Sequence, residues 1–175
     1  MISLRETLYL ISEDFKRLDI SKIKAFFKME FRAVLAYRIN HYIYHNISTA
    51  LAYILHNRMK KRYNVDLYPK VSIGRGFVLA HLGAIVIGDG VKIGENVTIQ
   101  SGVTLGQKDK FSSFPKIGNN CYIGTGAKVL GQVSIGNNYI IGANSVVLNN
   151  IASNSIVVGS PAYTIKENIK IDELF

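Results

Sequence analysis

Apolar residues recur every six positions through most of the chain after Ile73. Each unit has an aliphatic residue, usually followed by Gly, and then four mostly small or polar residues. The register includes Ile87-Gly88, Ile93-Gly94, Ile99, Leu105-Gly106, Ile117-Gly118, Ile123-Gly124, Val129, Ile135-Gly136, Ile141-Gly142 and Val147. Hexapeptide repeats of this kind are typical of a parallel β-helix. With three hexads in each triangular coil, about five coils are expected between Asp66 and Val158.

The fifth position of the hexad is also small or apolar. It holds Val71, Val91, Val97, Val103, Cys121, Ala127, Val133 and Ile151. Two inward positions in every six can fill a dry central core while the other four face solvent. Gly after the aliphatic residue suits a close approach of two backbone segments at a corner.

The repeat is irregular at two places. The count of six that runs through Leu79 and Ile85 shifts by two at Ile87, close to His81. A β-helix accepts extra residues only at its corners, and such loops carry function more often than the scaffold does. The second irregular segment, residues 106–116, is predicted to be an external loop, either overlying a site or simply solvated.

Helical spacing dominates before the repeat. A capping box of Ser3 and Glu6 predicts a helix over 3–17. A second helical stretch is expected at about 21–46, and a third at 48–63. The predicted inner face of the first helix carries Leu4, Leu8, Ile11 and Phe15.

These patterns divide the chain into three parts. Residues 1–64 form an N-terminal helical region, residues 65–162 the β-helix, and residues 163–175 a short helix or tail that covers its open end. Hydrophobic residues make up 48% of the 175 residues and charged ones 19%, so we expect the chain to be folded nearly throughout.

The formal net charge of +9 is concentrated in the helical region, where twelve Lys and Arg stand against five Asp and Glu. Such a region can face an anionic membrane surface, or its charge can simply be solvated. Nucleic acid is not an expected partner, because no base-stacking or groove-reading motif accompanies the charge.

Cys121 is the only cysteine, so neither an internal disulfide nor an all-cysteine metal site is expected. The N-terminal residues do not resemble a secretory signal, and no apolar run approaches the roughly 18 residues of a membrane-spanning helix. We therefore expect a cytoplasmic protein.

No metal site is predicted. His41 and His45 share a helical face, but two ligands need at least one more, and no HExxH pattern is present. A metal site of three histidines on the coils is excluded as well, because His81 is the only histidine in the repeat.

His81 is therefore the candidate for proton transfer near neutral pH. Asp66 precedes it by fifteen residues, close to one coil, and could approach from the neighbouring rung. A carboxylate bonded to one ring nitrogen fixes the tautomer and stabilises the imidazolium, while the other nitrogen takes a proton from a hydroxyl. The pair predicts a general base.

Several longer segments resemble one known family. They are Val65-Asp66-Leu67-Tyr68-Pro69, Ile73-Gly74-Arg75-Gly76-Phe77-Val78-Leu79-Ala80-His81, Gly102-Val103-Thr104-Leu105-Gly106, Pro115-Lys116-Ile117-Gly118, Ile123-Gly124-Thr125-Gly126-Ala127-Lys128-Val129-Leu130-Gly131, Ile141-Gly142-Ala143-Asn144-Ser145-Val146-Val147-Leu148 and Val158-Gly159-Ser160-Pro161-Ala162. Together they are similar to the serine acetyltransferase branch of the hexapeptide-repeat acyltransferases. The resemblance implies a mainly β fold, a left-handed parallel β-helix with an N-terminal α-helical region.

The resemblance also implies acetyl transfer from acetyl-CoA to a hydroxyl. The His81 position would be the general base and the Asp66 position its partner. The family's sites lie between neighbouring subunits of a homotrimer. The positions implied to contact the CoA arm, its thioester end and its nucleotide end are Gly106, Thr125, Ala143, Pro161, Ala162 and Lys166.

Three positions depart from the serine-specific pattern. Ala80 stands where those enzymes carry an acid before the histidine, and Ser113-Phe114 stand where they carry an Arg-His pair. A buried zwitterion without charged partners is unfavourable, whereas a sugar needs none and Phe114 could stack on its ring.

The sequence therefore predicts a sugar O-acetyltransferase that acts in surface polysaccharide or glycoconjugate assembly. Residues 31–38 also resemble the N-terminal part of polysaccharide-cluster relatives of this family. Serine O-acetyltransferase is one alternative. A non-catalytic β-helical scaffold is another, since a fold alone does not establish function.

Overall fold

Four helices occupy the first 63 residues in the computed structural model, which describes residues 2–169. They are α1 (Leu4–Lys16), α2 (Lys22–Phe27), α3 (Met29–Asn46) and α4 (Thr49–Tyr63). Side chains of Ser3, Ser21 and Ser48 cap α1, α2 and α4, each accepting a hydrogen bond from the backbone N–H three residues later. The three predicted helix starts are therefore confirmed.

Two details of the helical region differ from the prediction. The stretch 21–46 is two helices, because Lys28 adopts an extended conformation between them. On α1, Leu4 and Leu8 are more than half exposed, and the buried residues are Thr7 and Asp14. Ile11 and Phe15 are half-buried, and the ring of Phe15 packs edge-on against Phe31 with centroids 6.0 Å apart. The prediction of this face was therefore wrong only for Leu4 and Leu8, and it missed Asp14, whose partners are polar groups described below.

The repeat forms a parallel β-helix, as predicted. The strands β1 to β15, in order, are Val65–Leu67, Ser72–Ile73, Val78–Leu79, Ile85–Ile87, Lys92–Ile93, Val97–Ile99, Thr104–Gly106, Lys116–Ile117, Cys121–Ile123, Lys128–Leu130, Ser134–Ile135, Tyr139–Ile141, Val146–Val147, Ser155–Gly159 and Ala162–Glu167. They form three sheets, which are the three faces of a triangular prism. The first face contains β1-β4-β7-β10-β13, the second β2-β5-β8-β11, and the third β3-β6-β9-β12-β14-β15.

The inward positions fill one continuous core. The aliphatic residues of the hexads are buried, and so are residues at the fifth position such as Val97, Cys121 and Ala127. Burying an aliphatic side chain contributes about 1.5–3 kcal/mol. The repetition of this contribution in every hexad explains why the period of six determines the architecture.

Coil lengths locate both irregularities. Registered partners on the first face are 20 residues apart between Leu67 and Ile87, 18 between Ile87 and Leu105, and 24 between Leu105 and Val129. Both Ile85 and Ile87 point inward in β4, so the two extra residues lie in the preceding turn, 80–84, which contains His81. The six extra residues lie within the external loop 107–115, where the irregular segment 106–116 predicted it.

A ladder of asparagines lines the corner between the second and third faces. Asn96, Asn120, Asn138 and Asn154 each precede a strand of the third face and have φ of 55°, 54°, 56° and 59°. Each side-chain amide donates to the carbonyl oxygen of the next at 3.0 Å. Asn tolerates this left-handed conformation better than other residues that carry a Cβ. The sequence analysis missed the ladder, although Asn recurs directly before four strands.

Polar side chains of the helices cover the N-terminal end of the β-helix. The first coil has no preceding rung, so several of its carbonyls lack a β partner. The Tyr37 hydroxyl donates to the Val71 carbonyl at 2.6 Å. The Arg38 guanidinium donates to the carbonyls of Ile73 at 2.7 Å and Gly74 at 2.6 Å.

Asp14 completes this buried junction. Its carboxylate accepts from Arg38 at 2.8 and 3.1 Å and from the backbone N–H of Phe77 at 2.8 Å. Burial raises the pKa of the Asp14 carboxyl despite these bonds. Arg17 adds a bond to the Gly76 carbonyl at 2.6 Å. Tertiary pairing with the coil therefore explains the polar interior of the helical region.

At the other end, β15 pairs antiparallel with β14. The short helix that was one expectation for 163–175 is wrong for residues 163–167, which belong to strand β15. Residues 170–175 lie outside the described part of the chain. In the described residues, no helix has the length and apolar character needed to span a bilayer.

Candidate active site

One edge of the prism carries the predicted base and two predicted CoA contacts. This edge, here called the entry corner, joins the third face to the first and consists of the turns 80–84, 100–103, 124–127 and 142–145. Backbone N–H groups of Gly102, Gly126 and Asn144 bond to carbonyls in the preceding turn at 2.7, 2.9 and 2.8 Å. His81, Thr125 and Ala143 therefore lie on a single stack of turns.

His81 is exposed on the longest of these turns. The two inserted residues widen the turn, and Gly83 and Ala84 adopt positive φ values of 117° and 51° to close it. Ala80, directly before the histidine, is tied to the next rung by its N–H bond to the Ile99 carbonyl at 2.9 Å. The imidazole is accessible to a hydroxyl from solvent.

Asp66 lies at the centre of β1 and faces outward. Its registered partner is Val86 of β4, the strand that His81's turn leads into, so the two predicted catalytic residues belong to neighbouring rungs. No hydrogen bond joins the two side chains within the described residues of one chain. Their pairing stays a prediction.

The Asp66 carboxylate is instead held by α4. Lys60 donates to its Oδ2, and this hydrogen bond raises the pKa of the Lys60 ammonium. The Nε2 of His56 lies 3.1 Å from Oδ1, which has no other partner among the described residues. His56 and Lys60 are four residues apart and so lie on one face of α4.

His56 is buried, and an acceptor faces each of its ring nitrogens. Nδ1 lies 3.1 Å from the Leu67 carbonyl, and the ring packs on Tyr68 with centroids 4.8 Å apart. A neutral imidazole can donate to only one of the two acceptors, whereas the protonated ring satisfies both. His56 was not singled out from the sequence; the available signal was its spacing of four from Lys60, on a helix that ends at Tyr63, shortly before Asp66.

Gly106, Ser113 and Phe114 lie at a second edge, here called the exit corner, which joins the first face to the second. Gly106 ends β7 there, and an added Cβ would meet no atom within 4 Å. Ser113 is exposed on the external loop, whose turn is held by Ser112 and Asp109. In one chain, the width of the first face separates these residues from His81.

Phe114 closes the exit corner. A Cβ added to Gly90 would lie 2.1 Å from a ring carbon, and one added to Gly88 would lie 2.5 Å from another. The ring therefore rests directly on the backbone of these two glycines and packs against the core. This contact occupies one ring face with protein, which does not support the predicted role of Phe114 in stacking on a sugar.

Pro161, Ala162 and Lys166 lie beyond the last coil. Pro161 is exposed in the turn between β14 and β15, Ala162 is half-buried at the start of β15, and Lys166 is exposed farther along that strand. The N–H of Gly159 donates to the Ser145 hydroxyl at 3.2 Å, so this turn continues the entry corner. In the described chain, no three His, Cys, Asp or Glu side chains cluster as a metal site would require.

Comparison with known proteins gives three kinds of match. Residues 114–149 match the bacterial transferase hexapeptide family, described as six repeats. The serine acetyltransferase of Buchnera aphidicola is 41% identical over 140 residues, which are 78% of this chain and 51% of the relative. This chain thus spans about half the length of the curated relatives that it matches.

Solved structures cover more of the molecule. The serine acetyltransferase of Neisseria gonorrhoeae has a TM-score of 0.90 and 34% identity, with 96% of this chain and 69% of that chain covered. A structure of the same enzyme in complex with serine has a TM-score of 0.87. The Brucella abortus serine acetyltransferase in complex with coenzyme A has a TM-score of 0.88 and 31% identity, covering 94% of this chain and 69% of that one.

Proposed function

Because this chain belongs to the serine acetyltransferase family of hexapeptide-repeat transferases, we propose that it transfers an acetyl group from acetyl-CoA to the hydroxyl of serine. The observation that carries the proposal is the entry corner, where His81, Thr125 and Ala143 share one edge of the prism. Such a transfer requires a general base and a binding surface for the acetyl donor.

This proposal replaces the predicted sugar acceptor, which was wrong. The relatives at 41% and 34% identity are serine acetyltransferases, and one of them has been solved with serine. The likeness to polysaccharide-cluster enzymes has no support among these matches. Phe114, which suggested a sugar-stacking surface, packs on Gly88 and Gly90 instead.

In the proposed reaction, the neutral imidazole of His81 removes the proton from the serine hydroxyl. The oxygen attacks the thioester carbonyl, and the C–S bond breaks as the tetrahedral intermediate collapses. The imidazolium then returns the proton to the departing thiolate, so that O-acetylserine and CoA are formed. A carboxylate near the ring stabilises the imidazolium in both steps.

Asp66 is assigned this supporting role because it is held rigidly on the neighbouring rung. Lys60 and His56 each engage one carboxylate oxygen. A carboxylate offers about four lone-pair sites, so either oxygen can accept a further bond. The helical region thereby orients the carboxylate to which this proposal gives the supporting role.

The residues of the entry corner fit coenzyme A. Thr125 and Ala143 are small and exposed on successive turns, so an extended pantetheine arm can approach their backbone, and the exposed Lys166 offers a cation for the phosphates. Pro161 and Ala162 would flank the nucleotide end. A relative has been solved with this molecule bound.

Gly106 and Ser113 belong to the exit corner, so a complete site needs the exit corner of one copy beside the entry corner of another. We therefore include the homotrimer in the proposal, with Gly106 lining the thioester end from a neighbouring copy. The open space at Gly106 leaves room for such an approach.

The acceptor's charged ends also need partners. Ala80 and Phe114 cannot supply them, so the amino and carboxylate groups of serine must be bound from other positions. A high KM for serine, with a normal KM for acetyl-CoA, is the expected kinetic sign of this departure.

The test is acetyl transfer by His81→Ala. Loss of the general base should lower kcat by at least about 100-fold while calorimetric binding of CoA persists. His45→Ala, an exposed histidine on α3, is the matched control and should retain wild-type activity. Full activity in His81→Ala would contradict the proposed mechanism. Faster turnover of sugars than of serine would contradict the proposed acceptor. If the wild-type protein turned over neither, the assignment as an enzyme would be wrong.

A further inference from the structure

The short helix α2 presents three large apolar side chains to solvent. Ile23, Phe26 and Phe27 are 74%, 61% and 74% exposed. Their spacing of i, i+3 and i+4 places them on one helical face. Ala25 is buried and attaches the helix to the protein. The outward face is therefore the apolar one, the reverse of an ordinary surface helix.

Lysines surround this apolar face. Lys24 and Lys28 are exposed and lie one helical turn apart. Residues 20–29 contain three lysines and no acidic residue. Neither Lys24 nor Lys28 forms an ion pair with a described residue of the chain. The combination of outward aromatic side chains and unpaired lysines is typical of helices that lie at a membrane interface.

We propose that α2 docks this protein on an anionic lipid surface, with Ile23, Phe26 and Phe27 entering the headgroup region and Lys24 and Lys28 pairing with lipid phosphates. Each lysine near such a surface strengthens binding several-fold, and the effect is screened by salt. The proposal is independent of the acetyl transfer, because α2 shares no residue with the entry corner.

A second copy of the chain is the less suitable occupant. A two-fold contact between two α2 helices would bring Lys24 and Lys28 of both copies together. The whole of residues 1–64 carries an excess of seven positive charges, which adds to the repulsion. An anionic bilayer complements the same charges.

The test is flotation of the full chain with vesicles of phosphatidylcholine, with and without phosphatidylglycerol. Wild type should float with the anionic vesicles, weakly with the neutral ones, and less at high salt. Phe26→Ser/Phe27→Ser should bind at least about tenfold more weakly. Phe111→Ser is the matched control, because Phe111 is 85% exposed beside Lys110 on the external loop.

Lys24→Gln/Lys28→Gln is a second variant that leaves the apolar side chains in place and should lose about tenfold in affinity for the anionic vesicles alone. Absence of vesicle binding by the folded wild type would overturn the proposal, as would equal losses in Phe111→Ser. If the wild-type protein does not bind vesicles and light scattering shows that Phe26→Ser/Phe27→Ser lowers the oligomeric state, then a second copy of the chain packs on α2 instead.

Discussion

The β-helix and the helical region differ in how many polar side chains they bury. Inside the coils, the buried residues are almost all apolar, whereas the helices bury Asp14, Arg38 and His56 beside apolar residues such as Tyr37 and Met59, and leave several large apolar residues outside. The difference follows from what each region contacts. A coil packs on side chains of its own kind, but the helices pack on the open end of the first coil, whose carbonyls require donors.

At this junction, the removal of one polar partner should be the most damaging kind of substitution. A buried ion pair contributes little net stability compared with an apolar substitute, but breaking it by removing one partner is strongly destabilising. The helical region is therefore expected to be more sensitive to polar substitutions than to loss of its apolar surface residues.

The largest effect is expected for Arg38→Met. Removing the guanidinium leaves Asp14 buried without its cation and deprives the carbonyls of Ile73 and Gly74 of donors. The free energy of unfolding should fall by about 3–5 kcal/mol, measured by urea denaturation followed by circular dichroism. Arg5→Met, at an exposed position on α1, is the control and should stay within about 0.5 kcal/mol. If Arg38→Met lowered the free energy of unfolding by less than about 1 kcal/mol, the proposed sensitivity of the helical region to polar substitutions would be wrong.

A smaller loss is expected in the asparagine ladder. Asn138→Ala forces an alanine into φ of 56° and removes two ladder hydrogen bonds, for a loss of about 2–3 kcal/mol. Asn138→Gly removes the same bonds but tolerates the backbone, so it should lose only about half as much. The same denaturation measurement compares them. Equal losses of unfolding free energy in the two variants would mean that the positive φ at residue 138 has no measurable cost for alanine.

The smallest effect concerns pH and the one thiol in the coil core. Burial raises the pKa of Cys121 from 9.0 to about 12. Above pH 9 the unfolded chain releases this proton while the folded chain keeps it, so stability falls as pH rises from 9 towards 12. By pH 10 this contribution is on the order of 1 kcal/mol.

Cys121→Ala tests this contribution by comparing the slopes of unfolding free energy against pH between pH 8 and 10. The variant should lose stability less steeply than wild type, whatever its stability at pH 8. Burial also raises the pKa of Tyr37, a contribution common to both proteins. Burial and the neighbouring Cys121 both raise the pKa of Tyr139, so the difference in slope reports Cys121 together with its effect on Tyr139. Identical slopes would contradict a buried, protonated thiol.

Much of the fold could be predicted because the signal is local. The period of six, the helix caps at Ser3 and Ser48, and the external loop at 107–115 each depend on residues close together in the chain. The site was predicted only by residue type. His81 and Asp66 were chosen as a base and a carboxylate, and the structure places them on neighbouring rungs without joining them.

The partners of Asp66 could not be predicted from spacing alone. His56 and Lys60 reach it only because α4 lies across the first coil. The inward side of α1 was likewise misjudged, since Asp14 finds Arg38 and Phe77 only after folding. Phe114 was taken for a ligand contact because its sequence gives no sign that Gly88 and Gly90 lie beneath it.

The sequence by itself determined that residues 65–159 wind into coils, because burying one aliphatic residue in each hexad favours the same short strand and turn each time. Only the tertiary structure decided which polar groups meet at the end of the coils and which apolar groups of α2 remain in solvent. Those outcomes depend on contacts between residues distant in sequence, where hydrogen-bond geometry and desolvation, rather than periodicity, select the partner.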